Sequence, residues 1–122
     1  MTNADLRMVA IVDDDYAVRD SLKFLLEIAG YTVAAFASAA DFLRSDMQQM
    51  ACLILDHHMP HMTGLQLAEQ LRTDGVTMPI LLITGSPSPD LSNRAARLGV
   101  QRVLEKPPSE EELFQFVEAA MA

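Results

Sequence analysis

Asp56 closes the apolar run Cys52-Leu53-Ile54-Leu55 and precedes His57-His58-Met59-Pro60. A run that short, bounded by a polar residue and then a proline, reads as a buried strand. A carboxylate at the C-terminal end of such a strand faces the crevice where open α/β sheets bind ligands. Three other strand-like runs end on groups of comparable use. Met8–Val12 stops at Asp13-Asp14-Asp15, Pro79–Ile83 stops at Thr84-Gly85, and Val100–Leu104 leads through Glu105 to Lys106-Pro107. Carboxylates, a hydroxyl and an ammonium therefore converge on one edge of one sheet. That set suits a phosphoryl group and a divalent cation.

The chemistry follows from the residue types. Mg²⁺ prefers oxygen ligands and keeps several waters, so two or three carboxylates and a carbonyl make a plausible shell. Two like charges about 4 Å apart cost about 4 kcal/mol at an effective dielectric of 20. Clustered aspartates thus favour taking up a cation. Phosphoryl transfer needs an in-line nucleophile and positive charge on the equatorial oxygens. A carboxylate is an established nucleophile of this kind.

Strands and helices must alternate to position these groups. Tyr16 to Ala29 places Val18, Leu22, Leu25, Leu26 and Ala29 on one helical face, and Gly30 is its stop. A weak second strand runs from Tyr31 to Phe36. Ser38-Ala39-Ala40-Asp41 opens a short helix ending about Met47. Ala51 to Leu55 is the third strand and Gly64 to Arg72 the next helix. A helix from Pro89 to Leu98 ends at Gly99, and Ser109-Glu110-Glu111-Glu112 caps the last one. Five βα units in a row imply an α/β fold: a doubly wound, five-stranded parallel sheet with right-handed crossovers. No linker or repeat divides residues 1–122. Residues 1–7 are expected to fray.

Composition narrows the partners. The 122 residues are half apolar, 6% aromatic and free of Trp, so the core is aliphatic with Met filling gaps. A formal charge of −8 makes this domain alone a poor ligand for nucleic acid, which is held by Lys and Arg. The single cysteine, Cys52, cannot form an internal disulfide, which fits a reducing cytoplasm. No apolar run approaches the roughly 20 residues of a membrane span.

In motif order the chain resembles a response-regulator receiver domain of two-component signalling. An acidic pair follows strand one, Asp-x-x-Met-Pro follows strand three, and a Thr-Gly helix start comes next. Thr-Gly after strand four and Lys-Pro after strand five complete the set. Ile83-Thr84-Gly85 and Glu105-Lys106-Pro107 look most like FixJ-type receivers. The resemblance implies the flavodoxin-like strand order 2-1-3-4-5, with the site where that order reverses. It implies Asp56 as phosphoacceptor, and Asp13, Asp14, Asp56 and the His58 backbone carbonyl around Mg²⁺. Thr84, Gly85 and Lys106 would bind the phosphoryl group, and Lys106-Pro107 would be cis. A sensor histidine kinase would be the donor. Such a domain is no conventional enzyme, although it catalyses its own phosphorylation and dephosphorylation. FixJ-type receivers usually precede a DNA-binding domain, so transcriptional output would run through an effector outside this chain.

Three positions depart from the pattern. Val103 stands where receivers usually carry the switch aromatic that moves with Thr84. Pro108 replaces a common Phe, and His58 occupies the place two after the acceptor, beside the path of a hydrolytic water. Val103 keeps alive a second reading, a pseudo-receiver interaction module, against which the intact acidic and basic groups argue. A haloacid-dehalogenase-type phosphatase needs a second Asp where His58 stands. A flavodoxin needs a phosphate loop where the acidic triplet stands. His57, His58 and His61 lie around a proline loop without helical zinc spacing. Alone, Lys106 would be a surface lysine and Asp15 is a helix cap. Arg94, Arg97 and Arg102, set against Glu110, Glu111 and Glu118, suit a two-fold homodimer through the fourth helix, fifth strand and fifth helix.

Overall fold

The computed structural model describes residues 7–122. The elements are β1 (Met8–Val12), α1 (Tyr16–Ile28), β2 (Thr32–Phe36), α2 (Ala39–Leu43), a 3₁₀ turn (Met47–Gln49), β3 (Met50–Asp56), α3 (Gly64–Thr73), β4 (Ile80–Thr84), α4 (Pro89–Arg97), β5 (Arg102–Glu105) and α5 (Glu110–Met121). All strand pairs are parallel, in the order β2-β1-β3-β4-β5. The expected topology is therefore the observed one.

Successive side chains of a strand point to opposite faces, and the core divides accordingly. Ala10, Val12, Leu53, Leu55, Ile80 and Leu82 pack with Phe42, Leu67, Leu71, Leu91 and Ala95 on the α2–α3–α4 side. Val9, Ile11, Cys52, Ile54, Leu81 and Ile83 pack with Leu22, Leu26, Leu113, Phe116 and Val117 on the α1–α5 side. Strands covered on both faces have to be apolar throughout, which is why β1, β3 and β4 lack polar–apolar alternation. Of the methionines, Met59 is buried, while Met47, Met50, Met62 and Met78 pack at the core's margin. Burial pushes the Cys52 thiol up to about 12, against a weaker pull from the Arg7 charge. At neutral pH it is an inert thiol.

Helix ends follow the cap residues. Asp15 accepts from the Ala17 and Val18 amides, and Ser38, Thr63, Ser88 and Ser109 each accept from the third residue onward. Gly30 and Gly99 have positive φ, 98° and 70°, the left-handed stop expected after α1 and α4. The second helix is shorter than its sequence implied, ending at Leu43 rather than about Met47. Ser45 Oγ donates to the Phe42 carbonyl at 2.6 Å, and Asp46 caps the separate 3₁₀ turn. Side-chain bonds to the backbone compete with helix continuation here. β5 begins at Arg102 rather than Val100, because the Val100 amide is taken by the Ala95 carbonyl at 3.1 Å. The expectation of fraying falls, for residues 1–6, outside the described residues. Arg7 differs from that expectation, since its guanidinium donates to the Met121 and Ala120 carbonyls at 3.4 and 3.3 Å.

One anchor had no signal in the sequence. Arg72, at the end of α3, donates to the Leu98, Val76 and Gly99 carbonyls at 2.7, 2.8 and 3.3 Å. It ties the last turn of α3 to the α4–β5 corner. Replacing it with Leu keeps most of the alkyl stem but leaves three carbonyls without their donor. Arg72→Leu should cost about 2 kcal/mol, given what hydrogen bonds to charged groups contribute. Urea unfolding of the two proteins measures the difference.

Candidate functional site

The order of the sheet reverses between β1 and β3, and the expected groups gather beyond the carboxyl ends of these strands. Asp13 follows β1 and Asp56 is the last residue of β3; both are 3% exposed. Asp14 projects to solvent. One carboxylate oxygen from each of the three lies within 4.8 Å of the others, the one such acidic or metal-ligating group among the described residues. Thr84 ends β4 fully buried. Lys106 reaches in from the end of β5, across a cis Lys106–Pro107 peptide, and its ammonium lies 3.1 Å from Asp13 Oδ2 and 3.4 Å from Asp56 Oδ1. The bond to Asp13, the shorter of the two, was not among the expectations.

The loops are held by bonds that sequence patterns do not announce. Arg19 of α1 donates to the Asp13 carbonyl at 2.7 Å, and Asp13 Oδ1 accepts from the Asp15 amide at 2.9 Å. On the other side, the His57 amide donates to the Ile83 carbonyl at 2.9 Å, and the His57 carbonyl accepts from the Gly64 amide at 3.0 Å. A Cβ on Gly64 would clash with the Asp56 carbonyl oxygen and stand 2.8 Å from His57 Cα. The glycine therefore lets α3 start directly against the end of β3. A reciprocal capping box between Thr63 and Gln66 closes the same turn. His61 carries φ 70°, with the Met62 amide bonded to the Pro60 carbonyl at 2.8 Å, the pattern of a γ-turn.

The histidines diverge. His57 Nδ1 accepts from the Leu65 amide at 3.3 Å, and burial, with the charges of His58 and Arg94, pushes its imidazole below the usual value. The His58 ring shares a 2.9 Å hydrogen bond with Thr84 Oγ1, which also accepts from the Ser86 amide at 3.0 Å. Gly85 has nothing within 4 Å of an added Cβ and an ordinary φ, so the protein itself does not require glycine there. Val103 is half-buried beside Leu82 of β4 and packs toward the α2–α3–α4 side. Arg94 and Arg97 are exposed on α4 and Glu110, Glu111 and Glu118 on α5. Arg102 already pairs at 2.8 Å with Glu112 of its own chain.

Burial raises the Asp56 pKa, the Asp13 carboxylate adds to the rise, and Lys106 opposes it. Burial alone would lower Lys106, but its bonds and charge contacts with Asp13 and Asp56 outweigh that and raise it. The ammonium is thus fixed as a cation, and the Asp56 carboxylate is held at a cost.

The response regulator receiver domain family matches residues 9–118. The chain belongs to this family. This receiver is 37% identical over 114 residues to the transcriptional regulatory protein FixJ of Azorhizobium caulinodans, an alignment covering 93% of this chain and 54% of FixJ. It is 38% identical over 116 residues to the response regulator protein TodT of Pseudomonas putida, covering 93% and 51%. The receiver thus spans about half the length of these relatives. The crystal structure of FixJ-N superposes with a TM-score of 0.84 at 31% identity, covering 99% of the receiver and 95% of FixJ-N. The FixJ-type resemblance and the two-component assignment therefore hold. Among the described residues no helix is long and apolar enough to cross a membrane.

The raised Asp56 pKa has a stability consequence. Its folded value lies above its unfolded one, so the ionised carboxylate destabilises the receiver above the folded pKa. That cost fades as pH falls through it. In the absence of divalent metal at pH 7, Asp56→Asn should raise the melting temperature by a few degrees, the response to about 1 kcal/mol in a domain of this size. Its advantage over wild type should shrink as pH falls into the carboxylate range. Thermal unfolding in chelator across pH 4 to about 8 measures both.

Proposed function

We propose that this receiver takes a phosphoryl group from a sensor histidine kinase onto Asp56, with Mg²⁺, and so controls a downstream output. The observation that carries this reading is Lys106 bridging two buried carboxylates beside a third. Such an arrangement serves no packing purpose, and three clustered carboxylates with one ammonium leave negative charge over.

The acidic cluster fits Mg²⁺. Mg²⁺ takes oxygen ligands and neutralises clustered carboxylates, and one oxygen from each of the three lies within 4.8 Å of the others. Asp13, Asp14 and Asp56 would hold the ion, with the His58 backbone carbonyl as a further ligand. When bound, it would supply positive charge to phosphoryl oxygens and relieve the repulsion among the carboxylates.

The chain's own residues supply the rest. An Asp56 oxygen attacks phosphorus, a P–O bond forms, and the donor's P–N bond breaks with its electron pair returning to the imidazole nitrogen. Lys106 follows the charge, leaving its contact with Asp56 for the new phosphoryl oxygens. The Thr84 hydroxyl donates a hydrogen bond to one of those oxygens, and Gly85 leaves its backbone open to them. Hydrolysis of the acyl phosphate by water resets the site, catalysed by the same residues. An apolar cleft of about 300 Å³ lined by Ala17, Val18, Ser21, Leu22, Pro107 and Pro108 lies beside Lys106, and a kinase presenting phosphohistidine can approach along it. The α4–β5–α5 face serves for two-fold assembly, Arg94 and Arg97 meeting Glu110, Glu111 and Glu118 of a second copy. Arg102, paired within its own chain, contributes less than its sequence position implied. Transcriptional output through an effector domain and a cytoplasmic location belong to the same reading. A pseudo-receiver would have no use for a buried Asp56 set beside Lys106 and two further carboxylates.

Acetyl phosphate with Mg²⁺ should add one phosphoryl group to the wild type by intact mass, and none to Asp56→Asn. Equal labelling of the variant would remove Asp56 from its role. Saturating Mg²⁺ should also stabilise the wild type by RT ln(1+[L]/Kd), about 2.7 kcal/mol at a hundredfold excess over Kd. Asp14→Ala should lose most of that gain in a thermal shift experiment.

A further inference from the structure

Thr84 Oγ1 is buried and holds two bonds at once. The Ser86 amide donates to it at 3.0 Å, and His58 Nε2 lies 2.9 Å away. A hydroxyl has one proton and two lone pairs, and water does not reach this one, since Thr84 is 0% exposed. The two partners therefore decide where the hydroxyl points. Among the described residues no hydrogen bond joins Thr84 Oγ1 to Asp56. A hydroxyl held by the ring is not free for a phosphoryl oxygen, so presenting it there means letting the ring go.

His58 is built to be released. Its backbone amide is held toward Asp56 Oδ1 at 3.4 Å, while the residue as a whole is exposed. The ring can swing into water without moving the loop, and its bond to Thr84 is then replaced by bonds to solvent. Val103 cannot take this part. It is stiff at χ1, carries no polar atom, and sits in register with Leu82 rather than Thr84.

We propose that the His58 imidazole is a latch on Thr84: it holds the hydroxyl in the unphosphorylated receiver and gives it up when Thr84 turns to the phosphoryl group. This rests on the reading above that Asp56 takes that group. His58 is thus a positioning residue, acting through Thr84 and not on phosphorus. Any agent that stabilises the bound form must break the latch, so its removal tightens binding of a phosphoryl mimic.

The test is the affinity for beryllofluoride, with Mg²⁺, by titration calorimetry. His58→Leu should bind it about three- to tenfold more tightly than wild type, the worth of one net hydrogen bond. His58→Gln, whose amide has comparable reach, should bind as wild type does. In a Thr84→Val background the His58→Leu substitution should change nothing. Unchanged or weaker binding by His58→Leu, or a gain that persists with Val at position 84, overturns the latch. A second measurement does not depend on Asp56. Without beryllofluoride, three-bond couplings of Thr84 should report one χ1 rotamer in wild type and averaging in His58→Leu. Identical couplings in the two overturn the latch even if the mimic binds. Failure of beryllofluoride to bind wild type counts against the Asp56 reading alone, and the couplings then decide the latch.

Discussion

One lysine shared by two buried carboxylates is the constraint around which the receiver's upper edge is arranged. Lys106 and Asp13 are 93 residues apart in sequence, and only the β2-β1-β3-β4-β5 order brings the end of β5 within reach of the β1–β3 boundary. An ionised carboxylate in an apolar setting costs several kcal/mol unless charge and hydrogen bonds compensate it. Asp13 has Lys106 and the Asp15 amide. Among the described residues Asp56 has the longer Lys106 contact and a weak amide at His58. The more poorly compensated of the two is the one expected to react; burial, with the Asp13 charge beside it, raises the Asp56 pKa against the pull of Lys106. A group held above its resting free energy is the one that gains most from a cation or from esterification.

The scaffold keeps that imbalance from relaxing. Around Asp56 the backbone is bonded on both sides, to Ile83 of β4 and to Gly64 at the start of α3. Gly64 is packed so closely that any side chain would strike the Asp56 carbonyl. Arg19 performs the equivalent task for Asp13 from α1. The far end of α3 is tied down by Arg72. The carboxylates can therefore not drift apart to ease their repulsion, and the site stores its charge in fixed geometry, the preorganisation that electrostatic catalysis needs.

What could be read from sequence was whatever depends on local pattern. Apolar runs of strand length, caps at Asp15, Ser38 and Ser109, and stops at Gly30 and Gly99 each rest on a few adjacent residues, and all of them stand. The grouping of Asp13, Asp14, Asp56, Thr84 and Lys106 was legible because a parallel sheet sends every strand's C-terminus to one edge. Long-range polar bonds were not legible. Arg19 and Arg72 look like ordinary surface arginines, since nothing near them in the chain names the carbonyls they reach. The preference of Lys106 for Asp13 depends on ångström differences that strand order does not set. His58 was read as a neighbour of attacking water, and its ring's bond to Thr84 was not foreseen; a rotamer, not a motif, decides that. The early end of α2 turned on Ser45, whose competition for the Phe42 carbonyl is invisible to periodicity.

The β4–α4 connection is the part of the edge left loose, and its composition sets the direction in which it can yield. Gly85, Ser86, Pro87 and Ser88 are all exposed, and among the described residues the Thr84 hydroxyl has one hydrogen bond to this loop, from the Ser86 amide. If the hydroxyl rotates, that amide loses its partner and turns to water at small cost. Pro87 and Pro89 have φ locked near −65°, so little of the adjustment can be absorbed there. Gly85, free of neighbours and of a side chain, takes most of it. Ser88 and Pro89 are the cap and first turn of α4, so the helix start must follow the loop as a unit. α4 is fastened to the core by Leu91 and Ala95 on one face, and its C-terminal end is held by Leu98 and by Arg72 at the Leu98 carbonyl. On the proposed function, a displacement that begins as one bond rotation at Thr84 would reach the exposed face carrying Arg94 and Arg97 through this loop, without any aromatic side chain at position 103 to carry it.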